Sequence, residues 1–162
     1  AVGDKIGADV PICIKGGTLY SITSGDMIAA ECDTNCVFVC IYPDFTLSTA
    51  EAYTKYDENP TEINPRYADF VSSIVCGSLS EGAGFISNVF TEIYHDSRIE
   101  EMKNDLLESG AVISEMTGSG SVVFGVFESE ETAAYAKKIL SGKYPNVFTT
   151  RPVNCGVYVL ER

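Results

Sequence analysis

The chain has 162 residues and a formal net charge of −12, from 23 acidic and 11 basic side chains. This acidity argues against nucleic-acid phosphates or an anionic membrane as the main partner, because both would repel the surface. With 45 % hydrophobic residues, the composition is that of a folded domain rather than a disordered segment. The longest apolar run, residues 36–42, is too short to cross a bilayer, and no secretory signal is recognisable. These features predict a cytoplasmic protein.

The first part of the chain is predicted to form a short helix and a hairpin. Asp9 followed by Pro11 predicts a helix start, because Asp is a favoured N-cap and Pro is tolerated in a first turn. The expected elements are the end of a helix over 1–8, a helix from 9 to the glycines at 16–17, and strands over 18–23 and 26–31 that form a hairpin around 24–25.

From residue 36 onward, strand and helix patterns alternate. Residues 36–42 are rich in β-branched and aromatic side chains, which predicts a buried central strand. Residues 96–109 carry apolar side chains at helical spacing, and Gly110 ends that helix. The other expected elements are helices over 49–57 (capped by Ser48), 67–75, 86–94 and 129–140, strands over 111–116, 122–127, 146–150 and 157–160, and turn regions over 59–65 and 77–84.

This order of elements predicts the fold class. From residue 36, the chain runs strand, several helices, two strands, helix, strand, which is the split βαβ layout of ferredoxin-like folds with extra helices in the first crossover. We therefore expect an α+β domain of ferredoxin-like type, preceded by a helix and a hairpin. The fold class alone does not define a chemistry.

The cysteines are predicted to be reduced. Cys36 and Cys40 flank a strand-like run, where a thiol behaves as a small hydrophobic group. The spacing from Cys32 through Cys40 has no close pair and no nearby His, so a metal site is not expected. We expect reduced core cysteines and no disulfide framework. The full set comprises Cys13, Cys32, Cys36, Cys40, Cys76 and Cys155.

Asp9 is the first residue with catalytic potential. A carboxylate at a helix start is most simply a cap. The functional alternative is a general base, or an orienting group, for a hydroxyl nucleophile in phosphoryl transfer.

The segment Thr117-Gly118-Ser119-Gly120-Ser121 is the second candidate. Two glycines separated by one residue permit positive φ and can expose backbone N–H groups that bind an anion. A plain hairpin connection is the simpler explanation. The segment lacks the Gly-Lys-Ser/Thr of a Walker A loop and the third glycine of a dinucleotide-binding fingerprint.

The exit of the central strand, residues 42–49, is the third candidate. Strand ends that lead into helix starts collect ligand-binding groups, because a helix start offers free N–H donors. Thr49 could donate to a ligand oxygen, and Tyr53 could stack on a base. Core packing is the alternative for Tyr53.

Taken together, these segments resemble the GHMP kinase superfamily, and within it the branch that acts on a cytidine-diphosphate-linked methylerythritol. The resemblance covers essentially the whole chain, and its first and last motifs, in this order, are fairly specific. The matching segments are Gly7-Ala8-Asp9-Val10-Pro11 with the following 12–17, residues 43–49, Ser87-Asn88-Val89-Phe90, residues 106–111, and Thr117-Gly118-Ser119-Gly120-Ser121 with the following 122–125.

The resemblance implies a role for each candidate residue. Asp9 falls on the catalytic aspartate that acts on the 2-hydroxyl of the substrate. Thr49 falls on a substrate-contacting threonine, and Tyr53 falls where an aromatic ring stacks on cytosine. The glycine motif near the phosphates falls on Gly118, Ser119 and Gly120. Such enzymes are ATP-dependent kinases that use Mg²⁺, with a small-molecule substrate and neither a nucleic-acid nor a membrane partner.

The chain departs from the family pattern at its N-terminal side. The glycine-rich phosphate loop of the superfamily and its partner lysine are not found among residues 1–162. We therefore expect residues 1–34 to be a remnant of the N-terminal domain and residues 35–162 to be the C-terminal domain. ATP and Mg²⁺ then belong to the full-length enzyme, and the isolated chain is expected to be inactive and to bind neither tightly.

Two alternatives remain open at this level. One is another small-molecule kinase of the superfamily, of homoserine or mevalonate type, since the third motif is shared. The other is a non-catalytic, ferredoxin-like binding module that keeps the fold without the chemistry.

Overall fold

The structure, a computed structural model, describes residues 5–7, 9–21, 27–30, 35–61 and 66–157. The helices are α1 (Val10–Lys15), α2 (Thr49–Glu58), α3 (Tyr67–Val75), α4 (Leu79–Gly82), α5 (Val89–Tyr94), α6 (Ser97–Glu108) and α7 (Glu130–Leu140), with a 3-10 turn at Ala83–Phe85. The strands are β1 (Thr18–Ser21), β2 (Met27–Ala30), β3 (Val37–Tyr42), β4 (Ile113–Met116), β5 (Val123–Phe127) and β6 (Asn146–Thr150). Within the described ranges, no helix is long and apolar enough to cross a membrane.

The strands form two antiparallel sheets. β1 and β2 pair as the predicted hairpin, and the other four strands lie in the order β4-β5-β3-β6. β3 is central: Val37 pairs with Phe127 of β5, and Phe38 pairs with Thr150 of β6. This order is that of a ferredoxin-like split βαβ sheet, so the predicted α+β class and the predicted central strand are confirmed.

The two faces of the central sheet have different coverings. Val37, Val39 and Ile41 point to one face because side chains alternate along a strand. There they join buried residues of α6 and α7, including Leu106 and Leu140, in the main core. A smaller cluster occupies the opposite face, where Cys36, Ile113, Val126, Phe38 and Phe124 meet residues from the 70–86 region.

Polar caps define where most of the helices begin. Ser48 accepts from the Glu51 N–H at the start of α2, and Ser129 accepts from the Thr132 N–H at the start of α7. Asp96 accepts from the Arg98 N–H and starts α6. These caps satisfy N–H groups that have no partner within the helix, and they explain why the predicted starts agree with the structure.

Two predictions in the first crossover were wrong. The turn region predicted over 77–84 contains α4 and the 3-10 turn, because Ser78 caps a helical turn by accepting from the Glu81 N–H. The helix predicted over 86–94 begins only at Val89. Its preceding residue, Asn88, has an extended backbone, and its side chain caps the helix.

Some predictions fall where the structure gives no description. Most of residues 1–8, the hairpin turn at 24–25 and residues 158–160 lie outside the described residues. Val157, the first residue of the predicted closing strand, is described and is not in a strand.

The cysteine prediction holds for the central strand but not for every thiol. Cys36 and Cys40 are buried, and burial raises the pKa of the Cys40 thiol. Cys13, Cys76 and Cys155 are exposed, so the prediction that the cysteines are core residues was wrong for these three. No disulfide links any two of the described cysteines, and Cys32 lies outside the described residues. Among the described side chains, no cluster of three or more His, Cys, Asp or Glu could hold a metal ion.

Candidate functional site

The loop of residues 117–121 connects β4 to β5 and forms the centre of the candidate site; we call it the glycine loop. Gly118 and Gly120 both have positive φ, 57° and 90°. A Cβ on Gly120 would lie 2.7 Å from Met116 Sδ and 2.8 Å from Leu47 Cδ1. Glycine at 120 therefore permits both the backbone turn and the close approach of the segment that follows β3.

Two hydroxyl contacts join the glycine loop to the exit of β3. Ser121 Oγ donates to the Phe45 carbonyl oxygen at 2.6 Å, and Ser121 is buried. Thr49 Oγ1 and Ser119 Oγ lie 2.8 Å apart, at hydrogen-bond distance. The structure thus brings together the predicted threonine and the predicted glycine motif, which lie far apart in the sequence.

Asn88 connects the glycine loop to α5. Its Nδ2 donates to the carbonyl oxygens of Met116 and Gly118, both at 2.8 Å. Its Oδ1 accepts from the Phe90 N–H at 2.9 Å. One side chain therefore holds the end of β4, the beginning of the glycine loop and the first turn of α5 together.

Tyr53 lies on α2 and is 56 % exposed, so it is not a core residue, which was the alternative to a stacking role. Phe90 of α5 contacts the Tyr53 ring edge-to-face, with the ring centroids 5.1 Å apart. An aromatic ring supported on one side and open to solvent elsewhere can accept a stacking partner.

Tyr94 of α5 supports the start of α2. Its hydroxyl donates to the Ser48 carbonyl oxygen at 3.0 Å, and Lys55 Nζ lies 4.9 Å from the centre of its ring. Desolvation by burial and the nearby Glu51 carboxylate raise the pKa of Tyr94. The neutral phenol donates this hydrogen bond, so a raised pKa keeps the contact intact.

Arg98 of α6 covers the other side of the β3 exit. Its guanidinium lies 3.7 Å from the centre of the Phe45 ring and binds Asp96 through two nitrogens, at 3.0 Å and 2.6 Å. These hydrogen bonds hold the pKa of Asp96 below its usual range and raise that of Arg98. Phe45 is thus fixed through its carbonyl by Ser121 and through its ring by Arg98.

Asp9 lies at the start of α1 and is not joined to this cluster. It is exposed, and its carboxylate makes no hydrogen bond or ion pair within the part of the chain that the structure describes. The α1 segment instead meets residues near 155: the Gly17 N–H donates to the Val153 carbonyl, and the Gly156 N–H to the Lys15 carbonyl. The carboxylate that the sequence predicted as an N-cap does not make the capping bond.

The glycine loop has donors left for a ligand. The Thr117 and Gly120 N–H groups bind the Val122 and Thr117 carbonyls. By contrast, the N–H groups of Gly118 and Ser119 have no acceptor among the described residues. Two adjacent unpaired N–H groups beside a positive-φ glycine are suited to an anionic oxygen.

Sequence reasoning assigned no role to Asn88 or Ser121, although both lie in segments that it singled out. An Asn before a helical run is a recognisable cap signal, and that signal could have found Asn88. Nothing in the local sequence shows that its Nδ2 reaches Met116 and Gly118. That contact depends on how β4 and α5 pack.

The comparison with protein families addresses the region that holds this cluster. Residues 86–146, from the start of the α5 segment to β6, match the family model described as GHMP kinases C terminal. Residues 86–146 are therefore similar to the C-terminal domain of GHMP kinases. The matched residues include Asn88 and the whole glycine loop, whereas Thr49 and Tyr53 lie before them.

Curated relatives extend the similarity beyond the segment that matches the family model. A 4-diphosphocytidyl-2-C-methyl-D-erythritol kinase of Caldanaerobacter subterraneus subsp. tengcongensis is 33 % identical over 162 residues, covering 98 % of this chain and 56 % of that protein. The protein of the same name from Clostridium perfringens is 33 % identical over 158 residues, covering 94 % and 55 %. The chain thus spans about half the length of the curated relatives it matches.

Solved structures support the fold. A homoserine kinase from Cytophaga hutchinsonii superimposes with a TM-score of 0.76 at 16 % identity, over 91 % of this chain and 52 % of that one. A 4-(cytidine 5'-diphospho)-2C-methyl-D-erythritol kinase superimposes with a TM-score of 0.72 at 17 % identity, over 90 % and 53 %. At these identities the likeness concerns the arrangement of the chain, and the kinase names belong to those proteins.

Proposed function

We propose that this chain forms the substrate side of an ATP-dependent kinase that phosphorylates the 2-hydroxyl of a cytidine-diphosphate-linked methylerythritol. The observation that carries the proposal is the 2.8 Å contact between Thr49 Oγ1 and Ser119 Oγ. It joins the segment proposed to bind substrate to the loop proposed to lie near phosphate. The names of the curated relatives support the choice of substrate.

In this proposal Tyr53 stacks on the cytosine and Thr49 donates to a substrate oxygen. The exposed ring of Tyr53 and its edge contact with Phe90 support the first role, because the ring is held yet accessible. The first residue of α2 also offers a helix N-terminus, which favours a negatively charged group nearby. The cytidine and the diphosphate would then lie along one side of α2.

Asp9 is proposed to act on the 2-hydroxyl, as a base or as an orienting group. Its exposure is compatible with contact to a ligand. Phosphoryl transfer depends mainly on positioning and charge stabilisation, so a carboxylate that aligns the hydroxyl is sufficient for this role.

The phosphate chemistry is proposed to use the glycine loop. The unpaired N–H groups of Gly118 and Ser119 fit a phosphate oxygen. ATP supplies the transferred phosphoryl group when it is bound. The described residues contain no carboxylate cluster suited to Mg²⁺, so we assign none of them to the metal.

We also propose that the chain divides near residue 34, with residues 1–34 belonging to an N-terminal unit and 35–162 to the C-terminal domain. The separate two-stranded sheet of β1 and β2 supports this division, since neither strand pairs with the four-stranded sheet in the described ranges.

The proposal is tested by ligand binding to the purified chain, measured by isothermal titration calorimetry. We expect binding of the cytidine-diphosphate-linked methylerythritol and no binding of homoserine or mevalonate. Tyr53→Ala should weaken that binding at least about fivefold, because stacking on a base is worth about 1–3 kcal/mol. Tyr135→Ala is the matched control, since Tyr135 is 61 % exposed on α7 and should not affect binding.

Two results would overturn the proposal. Equal binding of all three ligands would favour a different substrate class. An unchanged affinity in Tyr53→Ala, with the chain still folded by circular dichroism, would remove Tyr53 from the site.

A further inference from the structure

Asn88 makes more contacts around the candidate site than its place as a helix cap requires. Its side-chain amide lies between α5 and the end of β4, where it contacts backbone carbonyl groups. Both Nδ2 hydrogens are used, at 2.8 Å to Met116 O and 2.8 Å to Gly118 O, and Oδ1 accepts from the Phe90 N–H. A cap needs only the last of these bonds.

No other side chain of this length supplies the same set of bonds. Asp has two acceptors and would face two carbonyl oxygens without a donor. Ser has one hydroxyl on a shorter side chain, and Gln is longer by one methylene. Asn alone offers two donors and one acceptor at this reach, and every one of them is used here.

The bond to Gly118 O sets the direction of a neighbouring donor. The Gly118 carbonyl and the Ser119 N–H belong to one planar peptide group, in which they point in opposite directions when the bond is trans. Fixing the carbonyl toward Asn88 therefore aims the Ser119 N–H away from Asn88, and that N–H has no acceptor among the described residues.

The bond to the Phe90 N–H fixes the second part of the site. Phe90 follows Asn88 by two residues, and its ring contacts the edge of Tyr53. Since Oδ1 holds the first turn of α5, it also holds the ring that supports Tyr53. The phosphate side and the aromatic side of the candidate site thus depend on opposite ends of one side-chain amide.

We propose that Asn88 is a positioning residue that aims the Ser119 N–H at a phosphate group of the bound cytidine diphosphate. Through Phe90 it also holds the aromatic side of the candidate site in place. This inference rests on the proposed function, in which the glycine loop faces phosphate. It assigns Asn88 no contact with the ligand.

The two ends of the amide can be separated by substitution. Serine caps α2, α4 and α7 in this chain, through Ser48, Ser78 and Ser129. Asn88→Ser therefore keeps a residue that can cap α5 while it removes both donors to the loop. Asn88→Ala removes the cap as well. Ser78→Ala is the matched control, because it removes a helix cap that has no bond to the glycine loop.

The test compares two probes, cytidine 5'-diphosphate and cytidine, by isothermal titration calorimetry on the purified chain. In Asn88→Ser we expect about five- to tenfold weaker binding of the diphosphate, as for the loss of a charge-assisted hydrogen bond, and less than twofold change for cytidine. Asn88→Ala should weaken both probes. Ser78→Ala should weaken neither, although it destabilises the fold.

Amide hydrogen exchange of the glycine loop gives a readout without ligand. We expect faster exchange at the hydrogen-bonded amides of Thr117 and Gly120 in Asn88→Ser than in the wild type, and wild-type exchange there in Ser78→Ala. If the wild type binds neither probe, the proposed function fails, and faster loop exchange in Asn88→Ser still supports the positioning role. Unchanged loop exchange, or an equal loss of both probes in Asn88→Ser, would overturn it.

Discussion

The hydroxyl oxygens of Thr49 and Ser119 lie 2.8 Å apart, although 70 residues separate them along the chain. The contact joins the first residue of α2 to the loop between β4 and β5. It is exposed, so solvent competes with it. Its significance is therefore geometric more than energetic: it fixes the distance between two segments that are remote in sequence and lie at the same end of the sheet.

A double-mutant cycle of Thr49→Val and Ser119→Ala should reveal this contact directly. We expect a coupling energy of about 0.5–1 kcal/mol in the free energy of unfolding, which is usual for a hydrogen bond in partial contact with water. Urea unfolding followed by circular dichroism would measure it. Thr54→Val is the control, because among the described residues the Thr54 hydroxyl bonds only to Ala50 O in the same helix. Strict additivity of Thr49→Val and Ser119→Ala would contradict the contact.

The two glycines of the loop should respond differently to alanine. Gly118→Ala places a Cβ in open space at a φ of 57°, so we expect a loss of about 1 kcal/mol of stability. Gly120→Ala adds contacts under 3 Å with Met116 and Leu47 at a φ of 90°, and should lose about 2–3 kcal/mol. Urea unfolding midpoints of the two variants show which substitution destabilises the chain more. Equal losses of stability would show that the close approach of Leu47 does not matter.

Glu115 should contribute more to stability than the other acidic partner of Lys103. Glu115 is 7 % exposed, and its Oε1 accepts from the Thr91 hydroxyl and the Met116 N–H while Lys103 Nζ lies 3.3 Å away. Glu115→Gln should cost about 1–3 kcal/mol, because charge-assisted bonds in a buried place are weakened.

Glu100→Gln is the matched variant for that experiment. Glu100 also pairs with Lys103, at 3.4 Å, but its side chain is 49 % exposed. We expect a change within about 0.5 kcal/mol, as for surface ion pairs. Thermal unfolding of both variants at neutral pH provides the comparison. A larger loss in Glu100→Gln than in Glu115→Gln would reverse the assignment.

Asp96 should make the stability of the domain depend on acid pH. Arg98 holds the pKa of Asp96 below its usual range, so the folded chain binds this proton less readily than the unfolded chain. The resulting stabilisation is complete above the ordinary pKa of an aspartate, about 3.9, and is lost as the pH falls through the lower folded value.

Asp96→Asn isolates this effect because Asn also caps helices well. We expect the wild type to be more stable than Asp96→Asn at neutral pH, and the difference to shrink as the pH falls below about 4. Chemical unfolding across a pH series would measure it. A difference that stays constant down to the acid limit of folding would contradict the role of the charge.

Much of the fold could be predicted because local signals and tertiary contacts agree. The run at 36–42 is apolar at nearly every position, and β3 is indeed paired on both sides. Ser48, Asp96 and Ser129 are caps both by sequence and by structure. The region over 77–94 was predicted less well, because its short helices follow from single caps at Ser78 and Asn88 rather than from a periodic apolar face.

Part of the candidate cluster could be named from the sequence, whereas the contacts that join its members could not. The glycine motif, Thr49 and Tyr53 could be named from sequence resemblance. The bonds from Ser121 to Phe45 and from Asn88 to Gly118 could not, because they join chain segments whose separation is set only when the sheet closes. The role of Asp9 stays a prediction, since its carboxylate contacts none of these residues in the described ranges.

The central place of β3 also constrains how the chain acquires its structure during synthesis. Val37 pairs with Phe127, and Phe38 pairs with Thr150. Each of these partners therefore emerges from the ribosome roughly a hundred residues after β3. Until then the most apolar strand of the molecule has two unsatisfied edges. A nascent chain that pauses before β5 therefore presents a segment prone to aggregation, and early shielding by a chaperone would benefit this domain more than one built from sequential hairpins.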